Sequence, residues 1–292
     1  FFYLFNFLLF NYLYFMFDEI VKNALREDLG DGDHSSLACI PENASGIAKL
    51  LVKDTGVLAG VEVARKVCEL VDSNLVFEEL LSDGTWVKPG DIAFYLKGSA
   101  RSILAAERTL LNFMQRMSGI ATQTKTYVDL LEGTQTNLLD TRKTTPGIRY
   151  MEKWAVRIGG GMNHRFALYD MIMLKDNHVD FAGGIKQAIQ RTQEYLKTTG
   201  KQLKVEIEVR NLQELDEVLE TGMVDRIMLD NFTPDLLKEA IAKIDKRYET
   251  EASGGITKET LRDYAETGVD YISVGALTHS FKSLDMSLKA AF

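Results

Sequence analysis

Residues 204–230 read KVEIEVRNLQELDEVLETGMVDRIMLD. A short run, VEIEV (205–209), is followed by a helical pattern over Leu212–Thr221 and then by a second short apolar run, Arg226–Leu229. Strand, helix, strand in this order implies parallel pairing through right-handed crossovers. The rhythm continues on both sides of this stretch. Short runs stand at Asn137–Leu139, Met171–Leu174, Tyr248–Ala252 and Tyr271–Val274. Helices are predicted over Arg149–Ile158, Ile185–Lys197, Pro234–Ile244 and Lys258–Thr267. Six strands are readable, two fewer than the eight-stranded barrel, and an open doubly wound sheet is the alternative on this pattern alone.

The ends of these runs locate a site. They carry Asp140-Thr141-Arg142-Lys143, Lys175-Asp176-Asn177, Glu208, Asp230-Asn231, Ser253-Gly254-Gly255 and Gly275. In parallel α/β folds such ends share one face, where active sites are built. One charged strand end is usually just solvated, whereas six in succession with both signs present indicate a lined pocket.

The protein is acidic, with 42 Asp and Glu against 34 Lys and Arg for a formal charge of -8. That balance disfavours non-specific binding to nucleic acid or an anionic membrane. The cations crowded between Arg142 and Lys175 therefore call for a polyanionic ligand. Arg149, Lys153 and Arg157 have helical spacing and are read as a solvated face. Arg142, Lys143 and Lys175 follow strands and are read as functional. Glu208 and Asp230 can bind sugar hydroxyls, hold Mg²⁺ or offset positive charge in a transition state, with simple charge balancing as the rival. Glu206 has the same parity as Glu208, so alternation does not separate the two. Glycines after the last two runs suit the close approach of a phosphate. No Ser–His or Cys–His nucleophile is recognisable.

The first third reads as a small α+β region. Its elements are a helix from Asp18 to a stop at Gly30, a strand over Gly46–Lys53, a helix over Gly60–Val71, and strands over Leu75–Leu81 and Ile92–Leu96. A long helix starting at Ala100 is expected to break near Ser118-Gly119 and resume to Leu131. Cys39 and Cys68 form neither a disulfide framework nor a zinc site, which points to a reducing, cytoplasmic setting. The opening FFYLFNFLLFNYLYFMF (1–17) is shorter than the roughly 20 residues that span a bilayer. Met16 is read as the start, and residues 1–15 as translated upstream sequence, with a membrane anchor as the rival reading.

The runs AERTLLNFMQRMSGIAT (106–122), LLDTRKTTPGIRYMEKWAVRIGGGMNHR (138–165), IMLKDNHV (172–179), IMLDN (227–231), EASGGIT (251–257) and GVDYISVGALTHS (268–280) resemble the quinolinate phosphoribosyltransferase family, as does REDLGDGDHSS (26–36). The resemblance covers the chain from Met16 onward. It implies an N-terminal α/β sandwich domain over 16–118 and an incomplete six-stranded parallel α/β barrel over 119–279. A tail, 280–292, packs back on the first domain. Assembly as a homodimer or a multiple of dimers is implied.

The resemblance further implies transfer of phosphoribosyl from phosphoribosyl pyrophosphate to quinolinate with decarboxylation, in de novo NAD biosynthesis. Arg142, Arg165 and Lys175 would grip the two quinolinate carboxylates, with Thr141 and His164 in the same pocket. Arg108 would reach into the partner's site. Lys143 would contact phosphoribosyl pyrophosphate and act with Glu208 and Asp230 in catalysis. Glu208 and Asp230 would hold ribose hydroxyls or the accompanying Mg²⁺. Ser253, Gly254, Gly255, Val274, Gly275 and Ala276 would receive the 5′-phosphate, with His279 nearby. No organic cofactor, nucleic acid or membrane is expected. Two other readings are a paralogous pyrophosphorylase-like protein of molybdate transport and a catalytically silent ligand-binding protein of the same fold.

Overall fold

The computed structural model describes the backbone of residues 2–291 and the side chains of residues 16–291. Helix α1 covers Phe2–Leu29 and α2 covers His34–Cys39. Strands β1 (Ser45–Val52) and β2 (Gly56–Val57) lead to helix α3 (Val61–Val71). Strands β3 (Val76–Glu79), β4 (Trp86–Val87) and β5 (Ile92–Ser99) lead to the long helix α4 (Ala100–Leu130). Strands and helices then alternate as β6 (Asn137–Leu139), α5 (Arg149–Ile158), β7 (Ile172–Leu174), α6 (Asp176–Ala182), α7 (Ile185–Thr199), β8 (Val205–Val209) and α8 (Leu212–Thr221). The chain finishes with β9 (Arg226–Asp230), α9 (Pro234–Ile244), β10 (Glu249–Ser253), α10 (Leu261–Ala265), β11 (Tyr271–Ser273), α11 (Ala276–His279) and β12 (Met286–Ala291). Two compact units result, one from residues 1–125, 144–160 and 276–292, the other from 126–143 and 161–275.

The first unit is built on an antiparallel sheet of order β12-β1-β5-β3. In β1 the sequence SGIAKLLV places Ala48, Leu50 and Val52 on the buried side, the period-2 pattern that a one-sided sheet demands. The C-terminal strand adds to this sheet, with Val52 opposite Met286 and Ile47 opposite Ala291. Leu50, Phe94 and Leu96 are fully buried, each stabilising the unit by about 1.5–3 kcal/mol relative to exposure. Helix α4 does not break at Ser118-Gly119, contrary to the sequence reading. The Ser118 hydroxyl is occupied by the backbone of Ala59, and a Cβ on Gly119 would stand 2.4 Å from Lys282 O. Gly119 is there for close packing, not as a helix stop. The solvated-face reading of α5 also fails at one position, since Lys153 is buried.

The second unit is a six-stranded parallel sheet of order β6-β11-β10-β9-β8-β7. It is an incomplete barrel, because β6 pairs with β11 and β7 with β8, leaving the sheet open. Every residue of VEIEV is buried, so both faces of β8 are covered. Register puts Glu206 beside Arg226, Glu208 beside Met228, Met228 beside Glu251, and Asp230 beside Ser253. Because side chains alternate across a strand, these residues share one face, while Val205, Ile207, Val209, Ile227, Leu229 and Ala252 share the other. The sheet thus has an apolar face and an unusually charged one. The expectation about the origin of residues 1–15 lies outside the described side chains. Among the described residues, no helix is long and apolar enough to cross a membrane.

Candidate active site

The parallel sheet brings its carboxyl ends to one edge, and the charged strand ends gather there. Arg142 follows β6, and Arg165 follows a segment that runs beside it, tied by a parallel bridge between Leu139 and Met162. Both arginines are half-buried. The Arg142 Nε is buried without a hydrogen-bond partner. Arg165 donates to Met171 O at 3.3 Å, and burial, followed by the nearby charge of Arg142, lowers its pKa. An unsatisfied buried donor costs about 1–3 kcal/mol, and adjacent like charges add to the strain. An anion between the two guanidiniums relieves both. Thr141 accepts from the backbone N–H of Lys143 at 3.1 Å, which leaves the Lys143 side chain exposed after this turn.

The acidic residues occupy neighbouring strand ends. Lys175 Nζ lies 2.9 Å from Oε2 of Glu208, the lysine half-exposed and the carboxylate 9% exposed. Asp230 accepts from Ser253 Oγ at 2.5 Å and from Asn231 Nδ2 at 2.6 Å. Gly254, at φ +93°, lies so close that a Cβ would stand 2.2 Å from Asn231 Oδ1. Glycine is required there by conformation and by space. Gly255 is exposed and Gly275 half-buried, while Val274 is buried and donates to Leu139 O at 3.0 Å.

Below this edge the charged face holds a cluster of which sequence reasoning assigned only His164, and that to the acceptor pocket. His164 Nε2 is 2.9 Å from Glu206 and 3.4 Å from Glu251, and both carboxylates are fully buried. Arg226 pairs with Glu251 at 3.1 Å and with Glu249 at 3.0 Å, and lies over the Tyr271 ring at 4.1 Å. Burial lowers the proton affinity of His164, but the two carboxylates outweigh it and raise its pKa to about 9. Burial and the charge of Glu251 raise Glu206 to about 7. The Arg165 N–H points at His164 Nδ1 at 2.7 Å, a contact that only the neutral ring accepts, so protonation of His164 in answer to the two carboxylates gives this contact up. His164, Glu206 and Glu251 offer a nitrogen and two oxygens within 4.8 Å of one another, and the 2.9 Å separation of His164 Nε2 from Glu206 is that of a close ion pair. The signal that could have revealed the cluster is the alternation itself, since charged residues at every second position of a strand buried on both faces must find partners.

The structure therefore separates Glu206, deep in this cluster, from Glu208 at the open edge. It groups Arg142 with Arg165, Lys175 with Glu208, and Asp230 with Ser253 and Gly254. Arg108, exposed on α4, belongs to the other unit. So do Ala276, whose carbonyl accepts from Gln123 at 2.6 Å, and exposed His279, whose Nδ1 is 2.7 Å from Ser280 Oγ.

Residues 33–118 match the family model for the quinolinate phosphoribosyl transferase N-terminal domain, and residues 120–289 match that for its C-terminal domain. The chain is 47% identical over 285 residues to a chloroplastic carboxylating nicotinate-nucleotide pyrophosphorylase of Arabidopsis thaliana, covering 92% of this chain and 81% of that protein. It is 40% identical over 270 residues to a probable carboxylating nicotinate-nucleotide pyrophosphorylase of Bacillus subtilis, covering 92% of each. The crystal structure of NadC from Streptococcus pyogenes superposes with a TM-score of 0.89 at 41% identity, covering 95% of this chain and 98% of that one.

Proposed function

Because the chain belongs to the quinolinate phosphoribosyl transferase family, we propose that its charged sheet edge joins quinolinate to the ribose of phosphoribosyl pyrophosphate. The products are nicotinate mononucleotide, pyrophosphate and carbon dioxide, in de novo NAD biosynthesis. The observation that carries the reading is the Arg142–Arg165 pair, two neighbouring guanidiniums of which one has a buried donor without a partner. Planar guanidinium forks match carboxylates in geometry as well as charge.

Arg142, Arg165 and Lys175 hold the two carboxylates, with Thr141 and His164 beside them, and so orient the pyridine nitrogen toward the anomeric carbon. As pyrophosphate departs with the C–O electron pair, the sugar gains positive charge. Glu208 and Asp230 offset that charge, while Lys143 meets the departing phosphates. The nitrogen lone pair forms the new bond to the anomeric carbon. The resulting pyridinium then accepts the electrons left on the ring when the adjacent carboxylate leaves as carbon dioxide, and a proton fills that position. Most of the work is positioning and charge stabilisation. The turns at Ser253–Gly255 and Val274-Gly275 receive the 5′-phosphate.

Glu208 and Asp230 supply hard oxygen donors on adjacent strands, a set that fits Mg²⁺ accompanying phosphoribosyl pyrophosphate. When bound, Mg²⁺ neutralises the departing pyrophosphate. No organic cofactor is needed. Arg108 is exposed on α4 and is assigned to a second copy's site in a homodimer. The free cysteines, Cys39 exposed and Cys68 buried, support a reducing compartment, which we take to be the cytoplasm.

Incubation with quinolinate, phosphoribosyl pyrophosphate and Mg²⁺ tests the assignment by following carbon dioxide release. Turnover of quinolinate with none of nicotinic acid, which lacks one carboxylate, is the expected result. Absence of quinolinate turnover, or equal use of both acceptors, contradicts it.

A further inference from the structure

Asp140 is the last residue before the Thr141-Arg142 turn, and its side chain is fully buried. Its Oδ1 accepts from the backbone N–H of His164 at 2.9 Å, and its Oδ2 accepts from Asn163 Nδ2 at 2.6 Å. Its own N–H donates to Met162 O at 3.1 Å, and Met162 N–H donates to Leu138 O at 2.8 Å. Four hydrogen bonds thus lash residues 162–164 to residues 138–140. Arg142 stands two positions beyond one end of this lashing, and Arg165 one position beyond the other. The hold is anchored further by the His164 ring, whose Nε2 faces Glu206 at 2.9 Å and Glu251 at 3.4 Å.

Two guanidiniums placed side by side repel, and nothing in a loop holds them together by default. A free loop would relax by swinging Arg165 away, which would leave each arginine to bind a carboxylate separately. We propose that Asp140 is a positioning residue that holds Arg142 and Arg165 at the spacing a dicarboxylate acceptor requires, acting through the Asn163–His164 segment. This rests on the assignment of quinolinate as the acceptor. Asp140 touches neither substrate, so its effect falls on acceptor affinity. Of the groups assigned to phosphoribosyl pyrophosphate, Asp230, Ser253 and Gly254 hang from other strands, and Lys143, although on the same turn, is exposed and outside the four lashing bonds. A carboxylate is needed because Asp140 must accept at both oxygens, and an amide turns one of those contacts into a clash of donors.

The test is steady-state kinetics of the full-length enzyme carrying Asp140→Asn or Asn163→Ala, with thermal denaturation alongside. Asp140→Asn is expected to raise the KM for quinolinate by about tenfold or more, with kcat and the KM for phosphoribosyl pyrophosphate within about twofold of wild type. Asn163→Ala removes one bond without burying an amide, and is expected to raise the quinolinate KM by about threefold. It decides the matter if Asp140→Asn does not fold. A rise in both KM values together, tracking a lower Tm, shows a merely structural role and overturns the proposal, as does an unchanged quinolinate KM in the folded variants. A wild-type enzyme that turns over quinolinate while its variants behave identically defeats this proposal alone. A wild-type enzyme that neither turns over nor binds quinolinate defeats the acceptor assignment beneath it.

Discussion

Lys175 and Glu208 meet across the ends of β7 and β8, with Nζ 2.9 Å from Oε2. The contact joins a group that would bind the acceptor to one that would face the ribose, so each holds the other's charge until substrates arrive. Lys175 is 45% exposed and can turn toward an incoming carboxylate, whereas Glu208 stays fixed in its strand. Glu208→Gln is therefore expected to lower kcat by about a hundredfold or more. The KM for quinolinate should not rise, since Lys175 is released and not lost. Initial-rate kinetics with both substrates varied will measure the two effects.

Gly254→Ala strikes the turn proposed to receive the 5′-phosphate. The added Cβ would meet Asn231 Oδ1 at 2.2 Å and its backbone nitrogen at 2.8 Å, at a φ of +93° that disfavours any side chain. Asn231 also donates to Asp230, so its displacement disturbs the carboxylate as well. The KM for phosphoribosyl pyrophosphate is expected to rise by about tenfold or more, corresponding to about 1–3 kcal/mol of strain at one position. Unchanged kinetics would mean that this turn does not touch the sugar phosphate.

Strand and helix rhythm was legible in the sequence because β8 (VEIEV) and β9 (RIMLD) are short strand-like runs separated by an amphipathic helix of ordinary length. The site edge was legible for the same reason, since the residue after a parallel strand has only one edge to occupy. The charged cluster was not. Glu206 and Glu208 are both two-residue steps along one strand, and only the neighbouring register, with Arg226 beside the first, shows which is sunk and which is at the rim. Gly119 misled for a related reason, because close packing against residue 282 has no local signature. Lys153 likewise sits at a helical spacing that reads as solvent-facing, yet is buried.

The buried cluster predicts a stability effect away from the substrates. Arg226 is 12% exposed and pairs with fully buried Glu251. Arg226→Leu leaves that carboxylate without its guanidinium, a loss of about 3 kcal/mol. Thermal denaturation should show Tm lower by about 6 °C or more. A shift near zero would indicate that His164 alone neutralises Glu251.

The same cluster predicts a direction with pH. Burial and the charge of Glu251 raise Glu206 from 4.5 to about 7, so its contribution is complete below 4.5 and lost as pH rises through 7. His164 is opposed by burial but raised by Glu206 and Glu251 from 6.5 to about 9, so its contribution is complete below 6.5 and lost as pH rises through 9. The fold binds more protons than the unfolded chain across this window. Tm is expected to fall as pH rises from 4.5 to 9, and Glu206→Gln should flatten the slope. A Tm that climbs over that range contradicts the protonation scheme.

The proposed sharing of Arg108 between the subunits of a dimer gives a complementation test. Arg108→Ala and Lys175→Ala should each be inactive alone. Unfolding, mixing in equal amounts and reassembly should restore about a quarter of wild-type activity, because half of random dimers are mixed and each has one intact site. No recovery from well-folded mixed dimers would place Arg108 outside the partner's site.

The most direct measurement is calorimetric titration of the enzyme with quinolinate and, separately, with nicotinic acid. Two carboxylates held by Arg142, Arg165 and Lys175 should make quinolinate bind tighter by about tenfold to a hundredfold, the worth of one charge-assisted contact. Arg142→Ala should erase most of that difference. Equal affinity for the two acids, or a difference that survives Arg142→Ala, would contradict the arginine pair as the acceptor site.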